Sequence, residues 1–263
     1  LLEERLGVRL IQRSTRHFTV TEIGRVYYAH CKAMLIEAEA AQEAIDVTRS
    51  EVRGVVRLTF PVALLHTTVG AMIGEFMFRN PQVVVHLEAT NRRVDVIAEG
   101  IDVAIRVRFP PLTDSDLVMK VLGNRTWCLA ASPTLTRQYL MPVVPADLSG
   151  LPSLDLGAPQ QEHIWELQGP GGVAAAIRHT PRLVTDDMIA LRQAAAAGAG
   201  VVQLPTMMLK EDIANGTLQQ LLPDWAPRSG IIHAVFPSRL GLIPAVRELI
   251  DFLAARFDQA SER

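Results

Sequence analysis

Arg106 and Arg108 close the apolar run Asp102–Val107, and guanidinium groups at such a point bind carboxylates and other anions. Thr90 and Asn91, which follow the run Val83–Glu88, offer a hydroxyl and an amide. Pro61, Val62, Ala63 and Leu64 follow Val55–Phe60, where backbone N–H groups at a helix start would face a ligand. Farther along, Asp186, Asp187 and Pro205 hold equivalent positions. In two-lobed α/β folds, ligands bind outside the carboxyl ends of strands, in the crevice. That rule gathers all of these residues into one rim suited to a small carboxylate or other anion. The two acids opposite restrict the anion or favour a ligand that also carries an amine. Each group has a plainer reading beside this one. Arg106 and Arg108 would serve as surface charges or salt bridges, and Asp186–Asp187 as helix caps that favour the helix dipole.

Other chemistry is absent from the sequence. It contains no G-x-G-x-x-G, P-loop, G-x-S-x-G or H-E-x-x-H pattern. Gly198–Gly200 follows a helical stretch and reads as a stop signal. His86 and His233 lie inside apolar strands, as satisfied core histidines do. Cys31 and Cys128 stand far apart, with no metal-ligand or redox spacing. No catalytic residue, cofactor or metal is expected, and the chain reads as a binding protein and not an enzyme. No signal peptide opens it and no apolar run approaches the ~18 residues of a membrane span, so a cytoplasmic location is expected.

The elements that place the rim come from alternation. After Gly54 the chain reads as strand Val55–Phe60, helix Thr67–Arg79 stopped at Asn80–Pro81, and strand Val83–Glu88. Helix Arg93–Glu99, ended by Gly100, and strand Asp102–Val107 follow. Short connections between strands and helices predict a parallel sheet flanked by helices. A second cycle opens at Trp127 with "WCLAA" and a helix capped by Ser132, with Pro133 in its first turn. Looser strands follow around Leu154, Trp165 and Val173. Next come a capped helix stopped by Gly198, the strand Val201–Leu204, and a helix ending at Asn215–Gly216. The strand Ile231–Phe236 and a helix from Pro244 to Phe257 have no sheet of their own. They are expected to return to the first unit.

The first fifty residues follow a different pattern. Leu2, Leu6 and Leu10 repeat at helical spacing, and "QRSTRHFTV" alternates as a hairpin does. From the N-cap Thr21, Val26, Ala29, Ala33, Ile36, Ala40, Ala44 and Val47 form one stripe on a helix of ~30 residues, ~45 Å long. An Ala-rich seam of that length wants a partner helix, hence a homo-oligomer; the alternative is a helix lying on its own domain. Charge is uneven: residues 1–32 hold six Arg or Lys against three Glu, and residues 33–51 one Arg against five acids. With a net charge of -2 the whole molecule is no polyanion binder, but its head carries a local basic footprint.

Leu2, Glu3, Leu6, Gly7, Leu10, Arg13 and the Thr21–Gly24 turn resemble the end of the winged helix-turn-helix module of LysR-type transcriptional regulators. "RNPQVVVHLE", "EGIDVAIRV", "LTDSDLV", "LAASPTL", "PADLSGLP" and "AGAGVVQLP" resemble that family's effector domain, in the right order. Ile11 stands where the family more often has an aromatic, and Ile23 where it usually has Ala. The resemblance implies an α/β fold, a two-lobed effector domain like the type II periplasmic binding proteins, preceded by a partial winged helix-turn-helix. Residues 1–20 would be the remnant of that module, 21–52 the dimerisation linker helix, 53–127 with 231–263 the first effector subdomain, and 128–230 the second. The recognition helix would precede residue 1. Implied partners are double-stranded operator DNA, a small-molecule effector and further copies of the chain, as homodimer or homotetramer, with no membrane. Arg13, Ser14, Thr15 and Arg16 would meet DNA phosphates or the minor groove, where a solvated turn is the alternative. The rim residues would line the effector pocket. A stand-alone solute-binding protein would share the two lobes but has no use for a basic wing or a long Ala-seamed helix.

Overall fold

The computed structural model describes residues 2–13, 18–28, 30, 31, 34, 52–109, 117–237 and 242–261. Helix α1 (Leu2–Leu6) leads into a hairpin of β1 (Ile11–Arg13) and β2 (Phe18–Val20), with Ile11 opposite Val20. The Glu3 carboxylate accepts the Leu10 and Ile11 N–H groups at 2.7 and 2.9 Å, which ties α1 to β1. Helix α2 starts at 22, with 22–28, 30, 31 and 34 all helical, and Thr21 caps it by accepting the Gly24 N–H at 3.0 Å. Gly24 is required by close approach: a Cβ there would lie 2.2 Å from the Leu10 carbonyl oxygen. Val26 is exposed on α2, and Arg13 has its backbone in β1. Ser14, Thr15, Arg16, Ala29, Ala33, Ile36, Ala40, Ala44 and Val47 lie outside the described residues.

The first lobe is a five-stranded sheet. Strands β3 (Gly54–Phe60), β4 (Val83–Ala89) and β5 (Val103–Arg108) run parallel with β3 central. Strand β15 (Gly230–Phe236) enters antiparallel between β5 and β6 (Val118–Arg125), giving the order β4–β3–β5–β15–β6. The parallel pairing expected of β3, β4 and β5 holds for those strands, but β15 corrects the sheet as a whole to a mixed one. Strand β15 starts opposite the end of β6, Gly230 against Arg125, so it must run away from the edge toward which β3, β5 and β6 run. One face is covered by α3, which spans 62–79 with a π turn at Leu65–Val69, and by α7 (Pro244–Ser261). Leu58, Phe60, Phe76, Ile232, Leu249 and Leu253 are among the buried side chains of this core.

Two further expectations fail here. The stretch Arg93–Glu99 forms turns and no helix. The Asp95 carboxylate accepts the Ile97 and Ala98 N–H groups, each at 3.1 Å, and Glu99 accepts the Asp95 N–H at 2.9 Å. Local side-chain bonds thus take the donors that a helix would use. His86 is not a core histidine: it is exposed on the edge strand β4, whose Val83 points the other way. His233, on β15, is buried as expected.

The second lobe is built around β7 (Trp127–Ala131), flanked antiparallel by β12 (Val202–Pro205) and β13 (Gln219–Leu221). All of β7 is buried because successive side chains feed opposite cores, Leu129 and Ala131 one, Cys128 and Ala130 the other. Helix α4 (Pro133–Tyr139) has Ser132 as N-cap, and α5 (Met188–Ala196) has Asp187. Parallel β8 (Leu154–Leu156) and β11 (Leu183–Thr185) lie beside α5, and antiparallel β9 (Ile164–Gln168), β10 (Ala174–Arg178) and β14 (Ala226–Pro227) complete the lobe. Helix α6 (Thr206–Ala214) carries Asp212, whose buried carboxylate takes a two-pronged bond from Arg192 at 2.5 and 2.9 Å.

Gly198 ends α5 at φ +88°, and at Gly200 a Cβ would stand 2.9 Å from the Pro152 carbonyl oxygen. Backbone cannot give way there as a flexible side chain would. Gly200→Ala is therefore expected to destabilise the chain by about 1–3 kcal/mol, as overpacking does. The lowered midpoint in urea should come without a change in slope. An unchanged midpoint would show that β8 and β12 yield.

Candidate functional site

A cavity of about 660 Å³ lies between the lobes. From the first lobe, Thr59 and Pro61 at the end of β3, Thr90 to Val94 after β4, and Ile105 to Phe109 at the end of β5 form one wall. Arg125 and Trp127, where the chain crosses between lobes, form the second part. Leu156, Gly157, Asp186 and Met188 of the second lobe close it. Asn91 straps the two walls: its Oδ1 accepts the Val62 N–H at 3.2 Å and its Nδ2 donates to the Asp186 carbonyl at 2.9 Å.

Five arginines among the described residues reach this space, and they are not equivalent. Arg92 is paired with Glu88 and Glu99 at 3.2 and 2.5 Å, which raises its own pKa and holds the Glu99 carboxyl down at about 2. Arg106 donates to the Val94 carbonyl at 2.6 Å, and burial, then Arg108 and Arg93, lower its pKa. Arg108 is exposed, and neither it nor Arg93 has an ion pair among the described residues. Arg125 is 3% exposed. Its Nη2 faces the sulfurs of Met188 and Met208 at 3.5 and 4.0 Å, its Nε has no partner, and Trp127 covers it at 5.6 Å. Burial alone brings its pKa down to about 10, so it is still a cation at neutral pH. Against these, Asp186 is the one carboxylate residue that lines the cavity among the described residues. The site is a largely cationic cleft between two α/β lobes.

Residues 49–258 match the LysR substrate binding domain family. The chain belongs to the LysR-type transcriptional regulators. It is 32% identical to an HTH-type transcriptional regulator of Xanthomonas campestris pv. campestris, covering 98% of this chain and 75% of that protein. It is 30% identical to the HTH-type transcriptional activator AaeR of Escherichia coli, covering 97% of this chain and 82% of the relative. Full-length AphB of Vibrio cholerae, a virulence activator, superposes with a TM-score of 0.69 at 27% identity, over 97% of this chain and 86% of that one. CrgA of Neisseria meningitidis gives 0.70 at 25%, over the same shares. The fold is thus that of a DNA-binding regulator with an effector domain, and a stand-alone solute binder is disfavoured. No helix among the described residues is long and apolar enough to cross a membrane.

Of the rim expected for this regulator, Pro61, Thr90, Asn91, Arg106, Arg108 and Asp186 all line the cavity. The others do not. Leu64 is buried in the first core with Ala63 buried beside it, and the Val62 N–H is already taken by Asn91. Asp187 spends its carboxylate on the Ile189 and Ala190 N–H groups at 2.7 and 3.2 Å, so its capping reading holds. Pro205 is buried opposite Trp127 in the β12–β7 pairing. Arg125, Trp127, Phe109, Met188 and Leu156 were not anticipated. The signal for Arg125 was its place just before "WCLAA", where the chain changes lobes.

His233 sits opposite Arg106 in the β15–β5 register. Burial lowers its pKa, and the positive charges of Arg108 and Arg106 lower it further. The unfolded chain binds this proton near its ordinary value of ~6.5, while the folded chain resists it. Below that value the unfolded state holds more protons, so stability falls as the pH drops. The loss of urea midpoint between pH 7 and pH 5 should be smaller in His233→Gln than in the parent. Equal losses in both would clear His233 of any part in acid sensitivity.

Proposed function

We propose that this regulator senses a small organic acid in the inter-lobe cavity, acting by binding and not by catalysis. The observation that carries the proposal is the imbalance at that cavity. Among the described residues, Arg93, Arg106, Arg108 and Arg125 lack ion pairs, and Asp186 is the single carboxylate residue of the lining. A polar anion entering the cleft gains charge-assisted bonds that water competes with poorly there. We further take residues 53–127 with 231–263 as the first effector subdomain and 128–230 as the second, and place the protein in the cytoplasm. Operator DNA is met by the N-terminal segment through Arg13, Ser14, Thr15 and Arg16.

A melting screen of the chain against small organic acids tests the proposal, followed by calorimetric titration of any acid that raises the melting temperature. Arg108→Ala should weaken such an acid roughly tenfold, which is ~1.4 kcal/mol, because its guanidinium is exposed and screened. Thr90→Val should cost about 1 kcal/mol, the net value of a neutral hydrogen bond. Affinity unchanged in both variants would remove the cleft as the sensing site.

Self-association is the second part of the reading, supported by the stripe from Val26 to Val47. Replacing Ala33 and Ala40 with Glu places unpaired charges in that seam. Uncompensated burial of this kind costs on the order of 3–5 kcal/mol, enough to dissociate an assembly seen by sedimentation. An oligomer of unchanged size would sink the seam assignment.

A further inference from the structure

We propose that Arg125 is the carboxylate anchor of the cavity, and that the acid it holds has a flat apolar body, an aromatic or alicyclic carboxylate. The inference rests on the reading of this cleft as the sensing site. It begins with what Arg125 lacks. Several other arginines among the described residues have acids: Arg192 takes Asp212, Arg92 takes Glu88 and Glu99, and Arg256 and Arg79 share Glu75. Arg125 is more buried than any of these, lines the cavity, and has no carboxylate among the described residues. Thioether sulfur is a weak acceptor, so the Met188 and Met208 contacts do not replace one. A buried cation left in this state is costly, and an incoming carboxylate removes that cost while matching the planar fork with two oxygens.

The surroundings then choose the rest of the ligand. Trp127 lies over the guanidinium and is itself nearly buried, with the Phe109 ring 5.9 Å from it. Met188 and Leu156 face the same space from the second lobe. A polar body beside these groups would lose water without finding a partner, whereas a ring buries apolar surface against them. Thr90, Asn91 and Arg108 stand at the more exposed rim, where a hydroxyl or further polar substituent on the ring is accommodated.

The test uses the full chain with benzoate, phenylacetate and cyclohexanecarboxylate, each against its own amide and against acetate, by calorimetric titration. At least one ring acid should bind tenfold or more tightly than its amide and than acetate. Arg125→Met should weaken that acid a hundredfold or more and abolish the preference over the amide. Its melting temperature without ligand should stay at or above that of the parent, since an apolar chain replaces an unpaired charge; a merely structural arginine would lower it. Arg125→Lys keeps the charge without the fork and should retain the preference for acid over amide at about tenfold weaker binding. Ring acids that do not bind, bind no better than their amides, or bind Arg125→Met as well as the parent overturn the proposal. Binding that survives Arg125→Met but fails in Arg108→Ala moves the anchor to the rim and leaves the cavity reading standing. Binding that survives Arg125→Met, Arg108→Ala and Thr90→Val together removes the cavity reading as well.

Discussion

Strand β15 governs the architecture, because the first sheet has no continuous middle until this strand of residues 230–236 is in place. It joins β5 to β6 through two antiparallel ladders, and its Ile232, Ala234 and Phe236 fill the core beneath α3 and α7. The second lobe is therefore an insertion, entered at Arg125–Trp127 and left at Pro227–Gly230. Both crossings meet at the same place, since Gly230 pairs with Arg125 while Ile231 pairs with Arg108. The cavity lies where it does for that reason: Arg106, Arg108 and Arg125 come from the ends of strands that flank one returning strand. Gly230 keeps the approach close, as a Cβ there would press on the Val107 side chain at 3.0 Å.

The same geometry concentrates positive charge. Arg106 and Arg108 follow each other on β5, and Arg125 ends β6 one strand beyond β15. The fold pairs the Arg92 charge internally with Glu88 and Glu99, and holds Arg106 by the Val94 carbonyl without neutralising it. It leaves the rest facing the cleft. The pKa of His233 behind the wall, lowered first by burial, is lowered further by the same field, because a third cation is unwelcome beside Arg106 and Arg108.

Legibility followed how local the cause was. Ser132 and Asp187 were readable as caps, and Gly198 and Asn215–Gly216 as stops, since each acts within a few residues. Strands β3, β7 and β15 were readable as apolar runs. Strand β6 was not: Met119 and Val121 point outward, Lys120 and Gly123 are half-buried, and the alternation carries no clear sign. Missing β6 meant missing Arg125, although the strand-end rule had found Arg106 and Arg108 on the neighbouring strand. The false helix at Arg93–Glu99 has the opposite origin. Val94 and Val96 are both buried, Val96 against Ala104 and Val235, a spacing of two that no single helical face provides, and Asp95 and Glu99 bind backbone and break the ladder. Most of the N-terminal stripe, from Ala29 to Val47, lies outside the described residues.

Sensing requires more than a pocket, because a ligand with equal affinity for two lobe arrangements shifts neither. Here the walls belong to different lobes: Arg106, Arg108 and Thr90 to one, Met188, Leu156 and Asp186 to the other. A ligand touching both makes contacts that exist only while the lobes hold their present spacing. That spacing is held across the cleft by the Asn91 bond to the Asp186 carbonyl. The crossing itself is pinned to the second lobe, where the Thr206 N–H donates to the Thr126 carbonyl at 3.0 Å. Arg125 stands one residue before that pin, packed against Met188 and Met208 of the second lobe while its backbone belongs to β6 of the first. Charge arriving at Arg125 therefore acts on the segment that joins the lobes, and its effect on their spacing is opposed first by the single amide of Asn91.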